Sequence, residues 1–536
     1  MNTEETNVDL QDAADETKDA EPKEATEGPA QVSADADATE ADVSEADLDQ
    51  EEQEKLPMTG GGDGAEDAVS AGGGETVEEN GSVKLKMPEE AEVEEVKFTG
   101  LNKEELLRVA GTPGWVRTRW ALLVAPRCRD LPDTAWWNGG PLYQIGNIQA
   151  FTDAGDLKGV EQKMGSLSQL KVRGLLLGPI HVAPPDEAMS LRFEEISSEL
   201  GNLEQFRSLV QAAHKKGISV VLDLTPNYRG SSGPWFSNIS VTNVAERLKS
   251  ALVFWMNEGV DGVQLAGVER VASVVPSLWL DIRAIVQNGT EERPDKRVLI
   301  GVTERSAAEE VSALLSSSGV DLLVSRVLRP GNTDAGELAQ SVQLLYSSHS
   351  QTQLAWNLGG RAEGHLASLV GPALVRLHTL LLLTLPGAPV VNYGDEIGLM
   401  DQDTKFPRML WDSDEELNGT LQVNKQIIQT CFFRVLSELR GKERSLLYGD
   451  FLLLSNSSSS LAFQRVWDQS ERYIAAFNWA PEEAALPLSR AAALPQRASV
   501  VLSTNASALP ADSSVDLTEL RLGPGQAALL RFPYTG

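Results

Sequence analysis

The sequence predicts an α/β protein in which a (β/α)8 barrel is followed by a small antiparallel β-sandwich domain and preceded by a disordered acidic tail. Eight short apolar runs lie between residues 142 and 393, and apolar residues at helical spacing separate them. After about residue 442 the apolar runs become short and closely spaced, which predicts the β domain. A doubly wound sheet is the structural alternative to the barrel.

The tail is predicted to cover residues 1–99. Residues 1–100 contain 31 Asp and Glu but only 6 Lys, a net charge of −25 out of −32 for the whole chain. With Phe98 as its one aromatic residue, this segment cannot bury enough apolar surface to offset its conformational entropy. The negative charge also argues against nucleic acid or anionic lipid as the main partner.

Residues 100–130 are predicted to form a juxtamembrane or neck segment, with a capped helix that ends at Gly111. The apolar run from Trp120 to Pro126 is too short for a spanning helix, which needs about 20 apolar residues. A longer run, residues 379–391, contains prolines and is assigned to a buried helix and strand. We therefore expect no transmembrane segment in the chain as written, and no signal peptide.

The barrel is predicted over residues 131–442, and the β domain over residues 443–536. The barrel strands are expected at residues 142–147, 172–177, 219–224, 262–265, 298–302, 322–324, 354–358 and 390–393. The strands of the β domain are expected at residues 451–455, 461–467, 472–480, 498–503 and 527–532.

Two cysteines cannot form a disulfide scaffold or a cysteine-ligated zinc site, and five histidines leave little for another metal centre. No metal or cofactor is predicted. Cys431 shares i, i+4 spacing with Ile427, Val435 and Leu439, which predicts a buried thiol. Cys128 lies in a polar neck, and three interpretations are open: an intermolecular disulfide, an idle thiol or a bridge to Cys431.

Asn-X-Ser/Thr sequons are candidate N-glycosylation sites and favour a secretory route. Asn80 lies in the acidic tail and is expected to stay unmodified. Five candidates follow the neck: Asn238, Asn288, Asn418, Asn456 and Asn505.

Four segments resemble the α-amylase-type glycoside hydrolases and occur in the order of that family. They are residues 155–181, 213–228, 254–266 and 385–398. They are similar to the family's second, third, fourth and eighth barrel strands, so the resemblance implies the barrel over roughly residues 140–450. An ordered set of matches is far more specific than any single motif.

The resemblance also locates the positions at which that family carries its chemistry. It implies that Ala266 stands where the family has its aspartate nucleophile, Val302 where it has its glutamate acid, and Ala362 where it has a third carboxylate. Gln264 replaces an arginine, and Tyr228 replaces a histidine. Because glycoside hydrolysis needs two carboxylates across the scissile bond, we expect no hydrolase activity.

Three polar residues near these positions have more than one interpretation. Asp223 and Asn227 match family positions, but both residue types also cap turns after strands. Glu304 lies two residues beyond Val302, and a rearranged active site built on it is the enzymatic alternative. Only about 30 residues separate Tyr228 from the fourth strand, where active relatives usually insert a substrate-covering domain.

A barrel without its carboxylates behind a polar tail resembles the heavy chains of heteromeric amino-acid transporters, solute carrier family 3. Residues 97–120, 125–129, 441–451 and 531–534 carry this resemblance. The short loop after Tyr228 favours the branch that lacks the inserted domain. The family's single span, expected between Trp120 and Ala125, is missing here, so the chain as given could be soluble.

Membership of that family would imply a type II glycoprotein of the plasma membrane. It would escort and anchor a light-chain amino-acid transporter through a disulfide at Cys128, without forming the amino-acid path itself. An adhesion or signalling ectodomain associated with integrin β subunits is a further alternative. The α-glycosidase with a rearranged site remains the enzymatic one.

Overall fold

The computed structural model describes residues 128–288, 296–328, 330, 334–411, 420–488 and 494–534, with the backbone alone over 420–424. The predicted tail, the helix ending at Gly111, the expected position of the span and the sequon at Asn418 lie outside these residues. The described residues all belong to one structural unit, residues 105–536.

Eight parallel strands close into a barrel, which confirms the predicted fold class. Around the barrel the strands follow the order β1-β10-β9-β8-β7-β6-β5-β2. Their bounds are β1 Leu142–Ile145, β2 Gly174–Leu177, β5 Ser219–Asp223, β6 Gly262–Ala266, β7 Val298–Val302, β8 Leu322–Ser325, β9 Leu354–Trp356 and β10 Ala388–Asn392. A two-stranded hairpin, β3 His181–Val182 and β4 Arg192–Ile196, follows β2 and was not predicted.

Helices pack around the barrel, and polar side chains fix where several of them begin. β1 stops at Ile145, before the predicted end at residue 147, because the side chain of Asn147 caps the next helix. The helices are α1 Ile148–Phe151, α2 Leu157–Gln162, α3 Met164–Gln169, α4 Leu203–Lys215, α5 Val241–Asn257, α6 Val268–Val274, α7 Pro276–Gln287, α8 Ala308–Ser318, α9 Ala335–Ser348, α10 Leu366–Val370, α11 Val375–Thr384, α12 Thr420–Lys442 and α13 Arg444–Leu447.

Alternating side chains of the strands form two apolar layers, one inside the barrel and one beneath the helices. Leu142, Leu176, Val221 and Ile300 belong to the inner cluster and are almost fully buried. The strands approach closely where β6 begins. A Cβ atom added to Gly262 would lie 2.4 Å from the carbonyl oxygen of Val298, so the barrel can close there because this residue is glycine.

The β domain has two layers. A six-stranded antiparallel sheet has the order β11-β12-β13-β18-β15-β16, and β14 pairs with β17 in a small second sheet. The two sheets share an apolar core, so the predicted sandwich is confirmed with a second layer of only two strands. The strands are β11 Asp450–Asn456, β12 Ser460–Val466, β13 Arg472–Asn478, β14 Ala484–Leu486, β15 Arg497–Ser503, β16 Ser514–Asp516, β17 Leu520–Leu522 and β18 Ala527–Phe532.

Two buried arginines bind the end of α11, and one of them, Arg465, joins the β domain to the barrel. Arg465 on β12 donates to the carbonyl oxygens of Thr384 at 2.8 Å and Gly449 at 3.0 Å. Arg440 on α12 donates to the carbonyl oxygens of Leu383 and Leu385 at 2.9 and 2.8 Å. These cations satisfy carbonyl groups left free at the end of α11, where the helix dipole also favours positive charge.

Candidate functional site

A cavity of about 590 Å³ opens at the barrel mouth, where the carboxyl ends of the strands meet. Active sites of such barrels lie at this end. Ala266, Val302 and Ala362, the three positions singled out in the sequence, all line this cavity. The acidic side chains among its lining residues are those of Asp223 and two glutamates, Glu304 and Glu363.

The three positions carry backbone contacts and apolar side chains. The amide of Ala266 donates to Thr225 Oγ1 at 3.0 Å, and its carbonyl oxygen accepts from Trp235 Nε1 at 3.0 Å. Val302 ends β7, and the carbonyl oxygen of Ala362 accepts a hydrogen bond from Lys405 Nζ. Neither a methyl nor an isopropyl side chain can transfer a proton or attack a sugar carbon.

Asp223 is held at the floor of the mouth. Its Oδ2 accepts from Gln264 Nε2 at 3.1 Å, and its Oδ1 accepts from the amide of Thr225 at 2.9 Å. Burial raises the pKa of Asp223, although the hydrogen bonds from Thr225 and the charge of Arg361 lower it. Gln264 therefore gives Asp223 a neutral hydrogen-bond donor.

The Arg361 side chain lines the mouth and is held there by several contacts. Its guanidinium lies 4.7 Å from the ring centroid of Tyr228 and 5.8 Å from that of Phe406. It also donates to the carbonyl oxygens of Gly146 at 3.4 Å and Tyr228 at 3.3 Å. Burial lowers the pKa of Arg361, and the negative charge of Asp223 opposes this effect. The guanidinium is thus held by aromatic rings and backbone carbonyl groups at the wall of the cavity.

Glu304, the alternative catalytic residue, is engaged in an ion-pair network. Arg326 Nη2 lies 2.5 Å from Glu304 Oε2 and 2.5 Å from Glu363 Oε1. One guanidinium therefore bridges both glutamates on the same side of the mouth. Retaining and inverting glycosidases instead place their two carboxyl groups on either side of the bond to be cleaved.

Asn227 closes the short loop after Tyr228. Its Nδ2 donates to Asp186 Oδ1 at 2.8 Å and to the carbonyl oxygen of Ser232 at 2.6 Å. Its own oxygen accepts from the amide of Asp186 at 2.8 Å. The hydrogen bond from Asn227 and those from the amides of Ser231 and Ser232 hold the pKa of Asp186 well below its usual range. Asn227 therefore has the structural role that a turn residue implies.

Beside the mouth lies a buried acidic group that sequence reasoning missed. Glu396 Oε1 accepts from the hydroxyl of Tyr143 at 2.7 Å, while Oε2 has no partner among the described residues. Burial raises the pKa of Glu396 to about 7, although the hydrogen bond from Tyr143 lowers it. The pattern Asp395-Glu396 after a buried strand was the available indication, but only tertiary packing shows the burial.

We expect the free energy of unfolding of Glu396→Gln, relative to that of the wild type, to increase as the pH rises. In the unfolded chain this carboxyl group titrates near 4.5, and in the folded chain near 7. The wild-type protein therefore loses stability as the pH rises from about 4.5 to about 7, whereas glutamine stays neutral. The difference in free energy of unfolding between variant and wild type should grow by about 2–3 kcal/mol from pH 5 to pH 8.

Denaturant unfolding at a series of pH values measures this growth. The surface variant Glu195→Gln is the matched control, since it removes an exposed carboxylate that pairs with Arg192. A constant difference between Glu396→Gln and wild type across the range would contradict the prediction.

Cys128 is exposed, and the next residue, Arg129, is hydrogen-bonded to the β domain. Cys431 is also an exposed free thiol, so the prediction that it is buried was wrong. The core face of α12 carries Phe432, Phe433 and Leu436 instead. In the i, i+4 row through Cys431, Ile427 and Val435 are exposed and Leu439 packs against the core. Apolar periodicity predicts an apolar stripe, but it does not show how much of the stripe is covered.

The four described sequon asparagines all have exposed side chains: Asn238, Asn288, Asn456 and Asn505. Asn238 Oδ1 accepts a hydrogen bond from Arg270 at 2.5 Å. No group of three or more His, Cys, Asp or Glu residues in the described part of the chain could hold a metal ion. None of the described helices is long and apolar enough to span a membrane.

The barrel and its mouth define an α-amylase-like protein, and comparisons with known proteins agree. The family model for the α-amylase catalytic domain matches residues 133–246. The trehalulose synthase MutB of Pseudomonas mesoacidophila superposes with a TM-score of 0.59 at 16% identity, covering 75% of this chain and 100% of that one. An α-amylase of Geobacillus thermoleovorans gives 0.58 at 18% identity, covering 76% and 100%. At these identities the likeness shows the fold alone.

Curated relatives identify the particular family. The family model "Solute carrier family 3 member 2 N-terminus" matches residues 84–125. The amino acid transporter heavy chain SLC3A2 of Oryctolagus cuniculus is 40% identical, over 90% of this chain and 96% of the relative, and that of Mus musculus is 39% identical over the same shares. The chain belongs to the SLC3A2 family of amino acid transporter heavy chains, whose members are membrane-associated transporter subunits.

Proposed function

We propose that the chain is a non-catalytic heavy chain that escorts a light-chain amino-acid transporter to the plasma membrane and anchors it there. The observation that carries the proposal is the barrel mouth. Ala266, Val302 and Ala362 line it, together with Arg361, whose guanidinium stacks on Tyr228. The chain has a hydrolase-like barrel and is 40% identical to a relative named as a transporter heavy chain. Together with this mouth, that similarity supports a binding role rather than a catalytic one.

The absence of catalysis follows from the charges in the mouth. Both oxygens of Asp223 accept hydrogen bonds, from Gln264 and from the amide of Thr225, so this carboxyl group is not free to act as a nucleophile. Glu304 and Glu363 share Arg326, so neither is placed as a free acid opposite a base. The rearranged-site glycosidase would need one of these carboxylates to leave its partner.

The covalent part of the anchoring is assigned to Cys128. Its thiol is exposed and unpaired, and it precedes the barrel directly, where a light chain at the membrane surface could reach it. Exposed sequon asparagines at Asn238, Asn288, Asn456 and Asn505 support passage through the secretory route. Integrin β subunits are a further possible partner in the adhesion alternative, which no particular contact in the described residues favours.

Co-expression with an amino-acid transporter light chain tests the proposal. Two forms are compared: the chain as given, and a span-bearing form with about 20 apolar residues inserted between Leu123 and Val124. We expect the span-bearing form to raise surface labelling and amino-acid uptake of the light chain. Arg117 and Arg119 should direct its tail to the cytosol.

The chain as given is the matched control, since its short apolar run should not insert stably. Glycosidase-sensitive gel mobility should therefore appear for the span-bearing form alone. The proposal would be abandoned if the glycosylated, surface-exposed heavy chain left the surface level and the uptake of the light chain unchanged.

A further inference from the structure

In the described part of the neck, residues 128–130, Arg129 is hydrogen-bonded to the β domain. The amide of Arg129 donates to Asp468 Oδ2 at 3.2 Å, and its Nη1 donates to Asp450 Oδ2 at 3.1 Å. Its guanidinium also lies over the ring of Trp467, 4.5 Å from the centroid. We call these four residues the neck clamp: Arg129, Asp450, Trp467 and Asp468.

The acceptor side of the neck clamp is itself fixed. Asp450 begins β11 and lies opposite Val466 of β12, so Asp450, Trp467 and Asp468 meet at one end of this strand pair. The ring of Trp467 is buried, and its amide donates to Ser445 Oγ at 3.1 Å. Arg129 therefore binds to the first residue of β11 and to the turn that follows β12, next to the buried ring of Trp467.

Without the neck clamp, the next anchor along the chain is Trp136, whose Nε1 donates to the carbonyl oxygen of Lys296 at 3.1 Å. Eight residues separate it from Cys128, enough for an extended reach of about 28 Å. With the clamp, Cys128 is one peptide unit from a fixed residue. The thiol is then held near one place instead of sampling a wide volume, which raises its effective concentration toward a partner thiol.

We propose that Arg129 is the positioning residue for the interchain disulfide, presenting Cys128 at the Asp450 end of β11. This inference rests on the proposed function and adds to it where the light chain docks. The light-chain segment that carries the partner cysteine lies beside this edge, next to a cleft of about 460 Å³ that Arg129, Tyr346, Tyr448 and Trp467 help to line.

The first test measures the motion of the neck without any partner. In the full chain with Cys431→Ser, a spin label on Cys128 reports on one site, since the sequence has two cysteines. We expect a motionally restricted spectrum, and a mobile one after Arg129→Ala. Asp450→Asn combined with Asp468→Asn should also make the label mobile, because it weakens the two acceptors of Arg129. Arg192→Ala, which removes an exposed ion pair with Glu195, is the control and should change nothing.

The second test follows disulfide formation after removal of reductant, using the span-bearing form with a light chain. Arg129→Ala should slow the appearance of the covalent band about fivefold, while recovery of the noncovalent complex stays the same. Arg129→Lys keeps the charge but loses the planar stacking group, and should be intermediate. If Arg129 only stabilised the fold, Arg129→Ala would reduce the covalent band and the recovery of the noncovalent complex together.

The outcomes separate the two proposals. An equally mobile label in wild type and Arg129→Ala, or an unchanged rate of disulfide formation, would overturn the positioning role while leaving the covalent link intact. A band that persists in Cys128→Ser would instead remove the proposed disulfide at this residue, and the positioning role with it.

Discussion

Replacing Cys128 with serine is expected to abolish the reducible high-mass band that the span-bearing form makes with its light chain. A disulfide cannot form without this sulfur, so the loss should be complete rather than partial. Surface delivery of the light chain should fall only in part, because the barrel and the inserted span keep their noncovalent contacts. Non-reducing gels and surface labelling of the same cells measure the two effects.

Cys431→Ser is the matched control, because Cys431 is also exposed and also free. It should leave the band at wild-type intensity. Loss of the band in Cys431→Ser but not in Cys128→Ser would transfer the covalent link to α12 and contradict the assignment to the neck.

The purified chain should not hydrolyse α-glucosides above background, and restoring the carboxylates should not create an efficient enzyme. Glycosidases accelerate hydrolysis by many orders of magnitude, and loss of a nucleophile or an acid alone removes most of that effect. In the triple variant Ala266→Asp, Val302→Glu, Ala362→Asp, the guanidinium of Arg361 still lines the mouth, stacked on Tyr228, as a cation close to the restored carboxylates. No substrate-covering domain follows Tyr228 in the short closed loop.

Release of a chromogenic alcohol from aryl α-glucosides measures this activity, with an active α-amylase-type enzyme as the positive control. Glu304→Gln is the informative variant. Turnover by the wild-type chain that Glu304→Gln removes would contradict the non-catalytic proposal and support a rearranged active site.

The order of the strands was predictable because a buried parallel strand requires a run of apolar residues whatever surrounds it. The runs around Val221 and Ile300 consist almost entirely of apolar residues, and both side chains lie inside the barrel. The short strands of the β domain were less predictable. β14, β16 and β17 have three residues each, too few for periodicity to be recognised.

The character of the mouth was predictable in part. The resemblance to the family's strand motifs placed Ala266, Val302 and Ala362 at or beyond the carboxyl ends of strands, which in a barrel converge at one face. The resemblance could not show that Arg361 stacks on Tyr228 or that Arg326 bridges two glutamates. Those contacts depend on side chains from different strands, which the chain brings together only when the barrel closes.

Local sequence was sufficient wherever the deciding interaction lies within one strand, one helix or one turn. The eight barrel strands and the apolar side chains of Ala266, Val302 and Ala362 are of this kind. The burial of a side chain and its contacts with residues on other elements could be determined only from the folded structure. Cys431 is exposed although its stripe is apolar, Glu396 is buried although it is charged, and Arg129 meets Asp450 across more than 300 residues. Each of these outcomes depends on which surfaces the barrel and the β domain cover when they pack, and no local pattern encodes that choice.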